Sequence, residues 1–272
     1  MKKIAFWVIA VLITVSSAIY QRLSGPTYSI KEKTMINDSE IAYKLERSHE
    51  NIKDYEIAIK VDNEEVAGHL IYKRHKTDDP WTKIPFVRRE DSLIASLPKQ
   101  PAAGKLEYKV ILSSQGNEIS LSGQNPVIIR FKGPVPALIL IPHIFIMFLA
   151  ILLSTRAGIA ALDPKSNPRK FALWATGLLI VGGLILGPLV QKFAFGELWT
   201  GFPISFDLTD NKTLIAVIGW IAAVIAGRGG KPARRWVLGA SILLLVVYLI
   251  PHSLLGSELD YFKTNPPSTL PK

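Results

Sequence analysis

The 272-residue chain is 49% hydrophobic and has a formal net charge of +10, from 32 Lys or Arg against 22 Asp or Glu. The chain contains no cysteine, which excludes disulfides, thiolate nucleophiles and Cys-ligated metal centres. Several uncharged runs of 15 residues or more make the chain too apolar for an ordinary soluble protein.

The chain begins with Met1-Lys-Lys followed by an uncharged run over residues 4–20. This pattern is typical of a secretory signal or of a retained anchor helix, so residues 1–21 are predicted to be one of the two. Small residues at 16–18 suit cleavage, whereas the length of the run slightly favours an anchor. Either alternative places the following residues outside the cytoplasm.

Residues 25–133 have the two-residue periodicity of strands with one buried and one exposed face. In Tyr55–Val61 and Lys105–Leu112, apolar and polar side chains alternate. Short turn sequences separate these runs from six similar ones, and about eight short strands in this length predict an all-β sandwich. The other predicted strands are Ile41–Arg47, Val66–Arg74, Thr82–Arg88, Ser92–Leu97, Asn117–Leu121 and Val127–Phe131. The basic run Lys73–Lys76 is predicted to be a solvated hairpin end, balanced by Asp78 and Asp79.

The segment from Leu97 to Tyr108, LPKQPAAGKLEY, resembles the corner between the fifth and sixth strands of immunoglobulin-like and fibronectin type III-like domains. In those domains a tyrosine near the start of the sixth strand bonds back to the preceding loop. The resemblance implies that Tyr108 takes that place and that residues 25–133 fold as an Ig-like sandwich. It covers only these residues and implies nothing about function.

Four apolar runs follow, and they predict a block of four transmembrane helices within residues 134–258. They lie at about residues 135–155, 171–190, 211–227 and 236–256, and residues 259–272 form a tail. The connectors at 156–170 and 228–235, with the N-terminal lysines, have a net charge of +9, while the opposite loops have a net charge of −1. This positive-inside bias predicts that the β domain and the tail lie in the periplasm of a bacterial inner membrane. It also accounts for the charge without a nucleic-acid partner.

Three groups of residues in the membrane half are candidates for a site. Gly183 and Gly187 have the small-xxx-small spacing that lets helices approach closely, either within the chain or between two copies. His143 and His252 each follow an Ile-Pro pair, so they could hold a b-type haem or a metal ion. Alternatively, each hydrogen-bonds a helix carbonyl that the neighbouring proline leaves without a donor.

The third group consists of Glu197, Asp207 and Asp210, in the aromatic-rich outer loop over residues 191–212. These carboxylates suit a hard metal ion or another cation. The alternative is that the sequence Asp-Leu-Thr-Asp caps the next helix. The loop's five Phe and Trp residues predict that it lies at the membrane interface, where aromatic rings are favoured.

The sequence shows no nucleophile–base pair, and no charged residue is expected in the middle of a span. We therefore expect a non-catalytic inner-membrane protein whose β domain binds a periplasmic partner protein or acts as a scaffold subunit of a membrane assembly. The alternative function is a redox or metal-handling membrane subunit built on His143 and His252.

Overall fold

A computed structural model describes residues 2–37, 39–230, 233–251, 256 and 258–264. The chain divides into two compact units. The helical unit comprises Met1–Pro26 and Val135–Ser257, and the β unit comprises Thr27–Pro134 and Glu258–Lys272. The part of the chain from Glu258 onward therefore belongs to the β unit although it follows the last long helix.

The β unit contains eleven described strands. They are β1 (Ile30–Ile36), β2 (Ser39–Leu45), β3 (Ser48–Glu50), β4 (Tyr55–Lys60), β5 (Ala67–Arg74), β6 (Thr82–Pro85), β7 (Val87–Arg89), β8 (Ser92–Leu97), β9 (Lys105–Ser114), β10 (Asn117–Ser120) and β11 (Val127–Lys132). One sheet has the order β3-β11-β9-β5-β6, with β10 also paired to β9, and a second has the order β4-β8-β7. Strands β1 and β2 form a separate antiparallel ribbon. All the described pairings are antiparallel except that of β3 with β11, which is parallel.

The sheets enclose one hydrophobic core, to which the predicted alternating positions contribute. In β4, Tyr55, Ile57 and Ile59 are buried and the residues between them are exposed. Strand β9 places every second side chain, from Leu106 to Leu112, in the same core. Each of the eight predicted strands overlaps an observed one. Strands β1 and β3 were not predicted, because β1 buries only its last residue and β3 is three residues long.

Tyr108 is fully buried, but the predicted bond to the preceding loop is wrong. Its hydroxyl donates to the Glu46 carbonyl at 2.8 Å, on the segment between β2 and β3. The Glu46 N–H in turn donates to the Tyr55 hydroxyl at 3.2 Å. Two core tyrosines therefore fix the backbone at Glu46 where the chain passes from one sheet to the other.

The helices of the helical unit are α1 (Lys2–Ser24), α2 (Ala137–Leu162), α3 (Arg169–Leu179), α4 (Gly187–Phe195), α5 (Leu208–Ala226) and α6 (Arg234–Leu249). A π-helical segment, Ile180–Leu186, joins α3 to α4 in one continuous helix, and a short helix α7 (Tyr261–Thr264) lies in the β unit. Four helices in the described part of the chain are long and apolar enough to cross a membrane: α1, α2, Arg169–Phe195 and α5. These four helices indicate a membrane protein that also carries a sheet-rich unit.

Three predicted helix ends were wrong. The helix predicted to end at about residue 190 continues to Phe195. Helix α2 continues to Leu162, so Arg156 lies inside the helix and not in a connector. Helix α6 stops at Leu249 because the extended conformation of Ile250 precedes Pro251, which disfavours a helical residue before it. At 16 residues, or roughly 24 Å, α6 is shorter than each of the four candidate spans.

Most of the buried apolar residues in the core of the helical unit are alanines. Alanines of α2, α3, α5 and α6 are buried around the fully buried Trp220. Large apolar side chains instead point outward, and Leu138 is 90% exposed and Phe145 66% exposed. This distribution is typical of helices that pack through small residues and present large apolar ones to lipid.

Candidate functional site

His143 is held by a backbone carbonyl of the irregular helix. Its Nδ1 lies 3.0 Å from the Gly182 carbonyl oxygen in the π-helical segment. Because a carbonyl only accepts, Nδ1 carries the proton and Nε2 is the nitrogen with a lone pair. The alternative prediction, a hydrogen bond from His143 to a helix carbonyl freed by Pro142, is wrong, because the observed acceptor Gly182 belongs to a different helix.

The π-helical segment arises from the sequence around Gly182 and Pro188. Pro188 has no N–H to donate to the Leu184 carbonyl, which disrupts ordinary α-helical bonding in that turn. The Gly187 N–H donates to the Gly182 carbonyl five residues earlier, which is the π-helical spacing. Gly183 and Gly187 were predicted to be packing residues, but this widened turn was not predicted, although Pro188 is a sequence signal for it.

The glycines of this segment pack against helices of the same chain. A Cβ on Gly183 would lie 2.6 Å from the Thr213 methyl of α5, and one on Gly182 would lie 2.9 Å from the Met147 sulfur of α2. Gly187 lies beside the His143 ring, since its Cβ would be 3.7 Å from Cε1. These contacts correspond to the intrachain alternative for the small-xxx-small motif.

Among the described residues, His143 has no set of companion ligands. Within the ranges that the structure describes, no group of three or more His, Asp or Glu side chains is arranged to hold a metal ion. His252 lies outside the described residues.

The carboxylates of the outer loop bind backbone groups. The Asp207 Oδ1 accepts from the Thr209 N–H at 2.7 Å and so caps α5, as the capping alternative predicts. The Asp210 Oδ2 accepts from the Thr200 N–H at 2.6 Å and lies 3.2 Å from its hydroxyl. Glu197 is exposed, and among the described residues the three predicted ligands do not form a group that could hold a metal ion.

Bonds to the start of α5 also shape the loop between α4 and α5. The Asn211 side chain accepts from the Phe202 N–H at 2.7 Å, and Gly201 approaches the Asp210 Cβ closely. The loop consequently projects large apolar side chains, with Phe206 85% exposed and Ile204 74% exposed. Such a surface fits the predicted membrane-interface position of the loop.

Arg156 occupies an aromatic cage inside the helical unit. Its guanidinium carbon lies 4.6 Å from the ring centroid of Phe171, 5.2 Å from that of Phe6 and 5.5 Å from that of Trp7. The residue is 4% exposed, and its Nε and Nη1 form no hydrogen bond with the described residues. The rings supply cation–π stabilisation that replaces an acidic partner. Since Phe6 and Trp7 belong to α1, that helix is part of the packed block.

Two further cationic side chains donate hydrogen bonds to carbonyls at the ends of helices. The Arg234 guanidinium donates to the carbonyls of Ala160, Asp163 and Ser166 at 3.1, 2.6 and 2.6 Å, around the end of α2. The Lys212 ammonium, which is buried, donates to the Ile250 carbonyl at 2.7 Å at the end of α6. Both side chains satisfy carbonyls that a helix end leaves without donors.

The basic hairpin end of the β unit binds the segment that follows the last long helix. Glu258 lies 2.8 Å from the Lys76 ammonium, 3.5 Å from that of Lys105 and 3.5 Å from the His75 ring. The Leu259 N–H donates to the Ala103 carbonyl at 3.1 Å. The predicted solvated hairpin end is therefore wrong for His75, whereas Lys76 is exposed as predicted but pairs with Glu258. Arg74 pairs with Asp79 as expected.

Tyr261 completes this attachment. Its hydroxyl lies 3.0 Å from the Gln100 side-chain oxygen and 3.1 Å from the Lys105 carbonyl, and its ring lies under the Arg74 guanidinium. Burial raises the pKa of Tyr261 to about 12. Burial alone would raise the pKa of Glu258, but the Lys76 hydrogen bond and the Lys105 charge hold it below its usual value.

A comparison of the sequence with protein-family models and with curated proteins finds no match. The features above define a class, that of a membrane protein with a sheet-rich unit.

Proposed function

We propose that the protein is a non-catalytic subunit of a bacterial inner-membrane assembly. In this proposal the helices anchor the chain, and an Ig-like β unit in the periplasm binds a partner protein by adding a strand at the open edge of β1. The observation that carries the proposal is the length and exposure of that edge.

The strand order supports an Ig-like sandwich. One sheet pairs β4 with β8 and the other pairs β5, β9 and β11, which is the division expected for the second and fifth strands against the third, sixth and seventh. The buried Tyr108 at the start of β9 agrees with this assignment, although its hydroxyl contacts Glu46.

The attachment of the tail supports the membrane topology. Because Leu259 and Tyr261 contact the β unit, the chain must return to the β-unit side after leaving it at residue 134. That requires an even number of crossings, and α2, the continuous helix Arg169–Phe195, α5 and α6 supply four. In this topology α6 crosses despite its length, the cationic connectors face the cytoplasm, and the packed helix α1 is retained as an anchor.

The β1 edge is suited to strand addition. Strand β1 spans seven residues and pairs only with β2 among the described strands, while β2 lies beside β4. Among the other strands that end a described sheet, β3, β6, β7 and β10 have four residues or fewer, whereas β2 and β4 are longer but lie beside each other. An open edge offers main-chain donors and acceptors to an extended segment of a partner. The exposed Lys31, Glu32 and Lys33 discourage pairing between identical copies.

Site-specific photo-crosslinking tests the proposal. A photoreactive amino acid at Lys31 is expected to give one protein adduct of defined mass in cells, whereas the same group at Lys83 on β6 is expected to give none. Adducts of equal yield from both positions, or from neither, would contradict binding at β1.

Proline substitutions test the backbone contribution to this binding. Successive N–H groups of a strand point to opposite edges, so Lys33→Pro and Thr34→Pro remove one donor from the open edge and one from the β1–β2 ladder. Of these two variants, the one that lacks the open-edge N–H is expected to lose the partner adduct at Lys31, while the stability of its β unit stays unchanged. If the adduct persists in both folded variants, main-chain pairing is not the mode of binding.

A further inference from the structure

A cavity of about 70 Å³ lies between three helices at one end of the helical unit. The start of α3, the end of α5 and the start of α6 form its walls. Its apolar lining consists of Ala172, Leu173, Ala223, Val224 and Val237. Leu173 is also 47% exposed, so the cavity lining includes part of the outer apolar surface of the helices.

Two arginines, Arg169 and Arg228, line the same cavity. Both are exposed, and neither forms an ion pair with any residue that the structure describes. Their neighbour Arg234 differs, because both terminal nitrogens of its guanidinium donate to carbonyls around the end of α2. The only acidic residue in the two connectors, Asp163, accepts from the Lys165 N–H and does not line the cavity.

We infer that this cavity binds the headgroup of an anionic phospholipid, with the phosphate between Arg169 and Arg228. Arginine suits phosphate because its planar guanidinium can donate two parallel hydrogen bonds. The apolar walls suit the glycerol and the first acyl carbons, which a soluble phosphate lacks. Basic pockets between transmembrane helices are a known way of recognising lipid headgroups. The inference needs the helices to lie in a membrane, but it does not depend on partner binding by the β unit.

Native mass spectrometry of the full-length protein in detergent tests this inference. The probes are dioleoyl phosphatidylglycerol, dioleoyl phosphatidylcholine with the same chains, and inorganic phosphate. We expect one saturable phosphatidylglycerol adduct and no comparable adduct with the other two. Arg169→Gln with Arg228→Gln is expected to weaken phosphatidylglycerol binding about 30-fold, taking ~1 kcal/mol for each charge.

The matched control is Lys170→Gln with Arg235→Gln, which removes the same charge from exposed positions of the same connectors outside the cavity lining. We expect it to change the affinity less than threefold. The Lys substitutions at Arg169 and Arg228 keep the charge and are expected to restore most of the binding, which guards against a folding defect. Equal losses in the cavity and control pairs, or equal binding of phosphatidylcholine or free phosphate, would overturn the inference.

Discussion

Tyr108 provides a quantitative test of how the β unit is held together. Tyr108→Phe keeps the buried ring but removes the hydroxyl that donates to the Glu46 carbonyl at 2.8 Å. A buried carbonyl that loses its donor costs about 1–3 kcal/mol. The loss should appear mainly at the passage from β2 to β3, because the Tyr55 hydroxyl still accepts from the Glu46 N–H.

Hydrogen exchange of the full-length protein in detergent measures this effect locally. We expect amide exchange in β2, β3 and β9 to accelerate about 5- to 150-fold, the range that corresponds to 1–3 kcal/mol of opening free energy. Tyr72→Phe is the control, since Tyr72 lies opposite Tyr108 in the ladder and its hydroxyl bonds no described residue. Equal acceleration in both variants would refute the role of the Tyr108 hydrogen bond.

Three further predictions concern the helices, the tail and His143. Gly183→Ala should lower the thermal unfolding midpoint by the equivalent of about 1–3 kcal/mol, because its Cβ would lie 2.6 Å from the Thr213 methyl. Gly177→Ala, with open space around its Cβ, should raise the midpoint, and a fall as large as that of Gly183→Ala would contradict the packing argument. The tail should detach as the pH falls below about 4.5, the usual pKa of Glu258. The pKa of Glu258 is lowered in the attached state, so its carboxylate stabilises that state only while it is ionised. Limited proteolysis of the tail measures detachment, and the same cleavage at pH 7 and pH 3 would contradict the ion-pair contribution. Purified protein should lack a haem Soret band and bound metal, whereas a band lost in His143→Ala would favour the redox alternative.

The alternating strands were predictable because burial on one face imposes a two-residue period. Strand β1 was not predictable, since its residues are mostly exposed and its extended conformation is stabilised by pairing with β2. The apolar spans were likewise found from composition, because each contains a long run without charge.

The positions of single charges inside the helical unit were harder to predict. The charge of Arg156 predicted the end of a span. In the structure Arg156 lies inside the helix, because aromatic rings from α1 and α3 stabilise its guanidinium through cation–π contacts. The roles of Arg234 and Lys212 depend on carbonyls about 40 to 75 residues away in sequence. A local sequence pattern cannot indicate partners that lie so far away along the chain. The capping alternative for Asp207 could be foreseen because its donors lie within three residues.

Cysteine accessibility tests the membrane topology most directly, because the chain has no native cysteine. Single cysteines at Lys53 in the β unit and at Lys165 between α2 and α3 would be treated with a membrane-impermeant maleimide in intact spheroplasts. The proposed topology predicts labelling at Lys53→Cys before lysis and at Lys165→Cys only after lysis. The reverse pattern, or labelling of both positions in sealed spheroplasts, would contradict it.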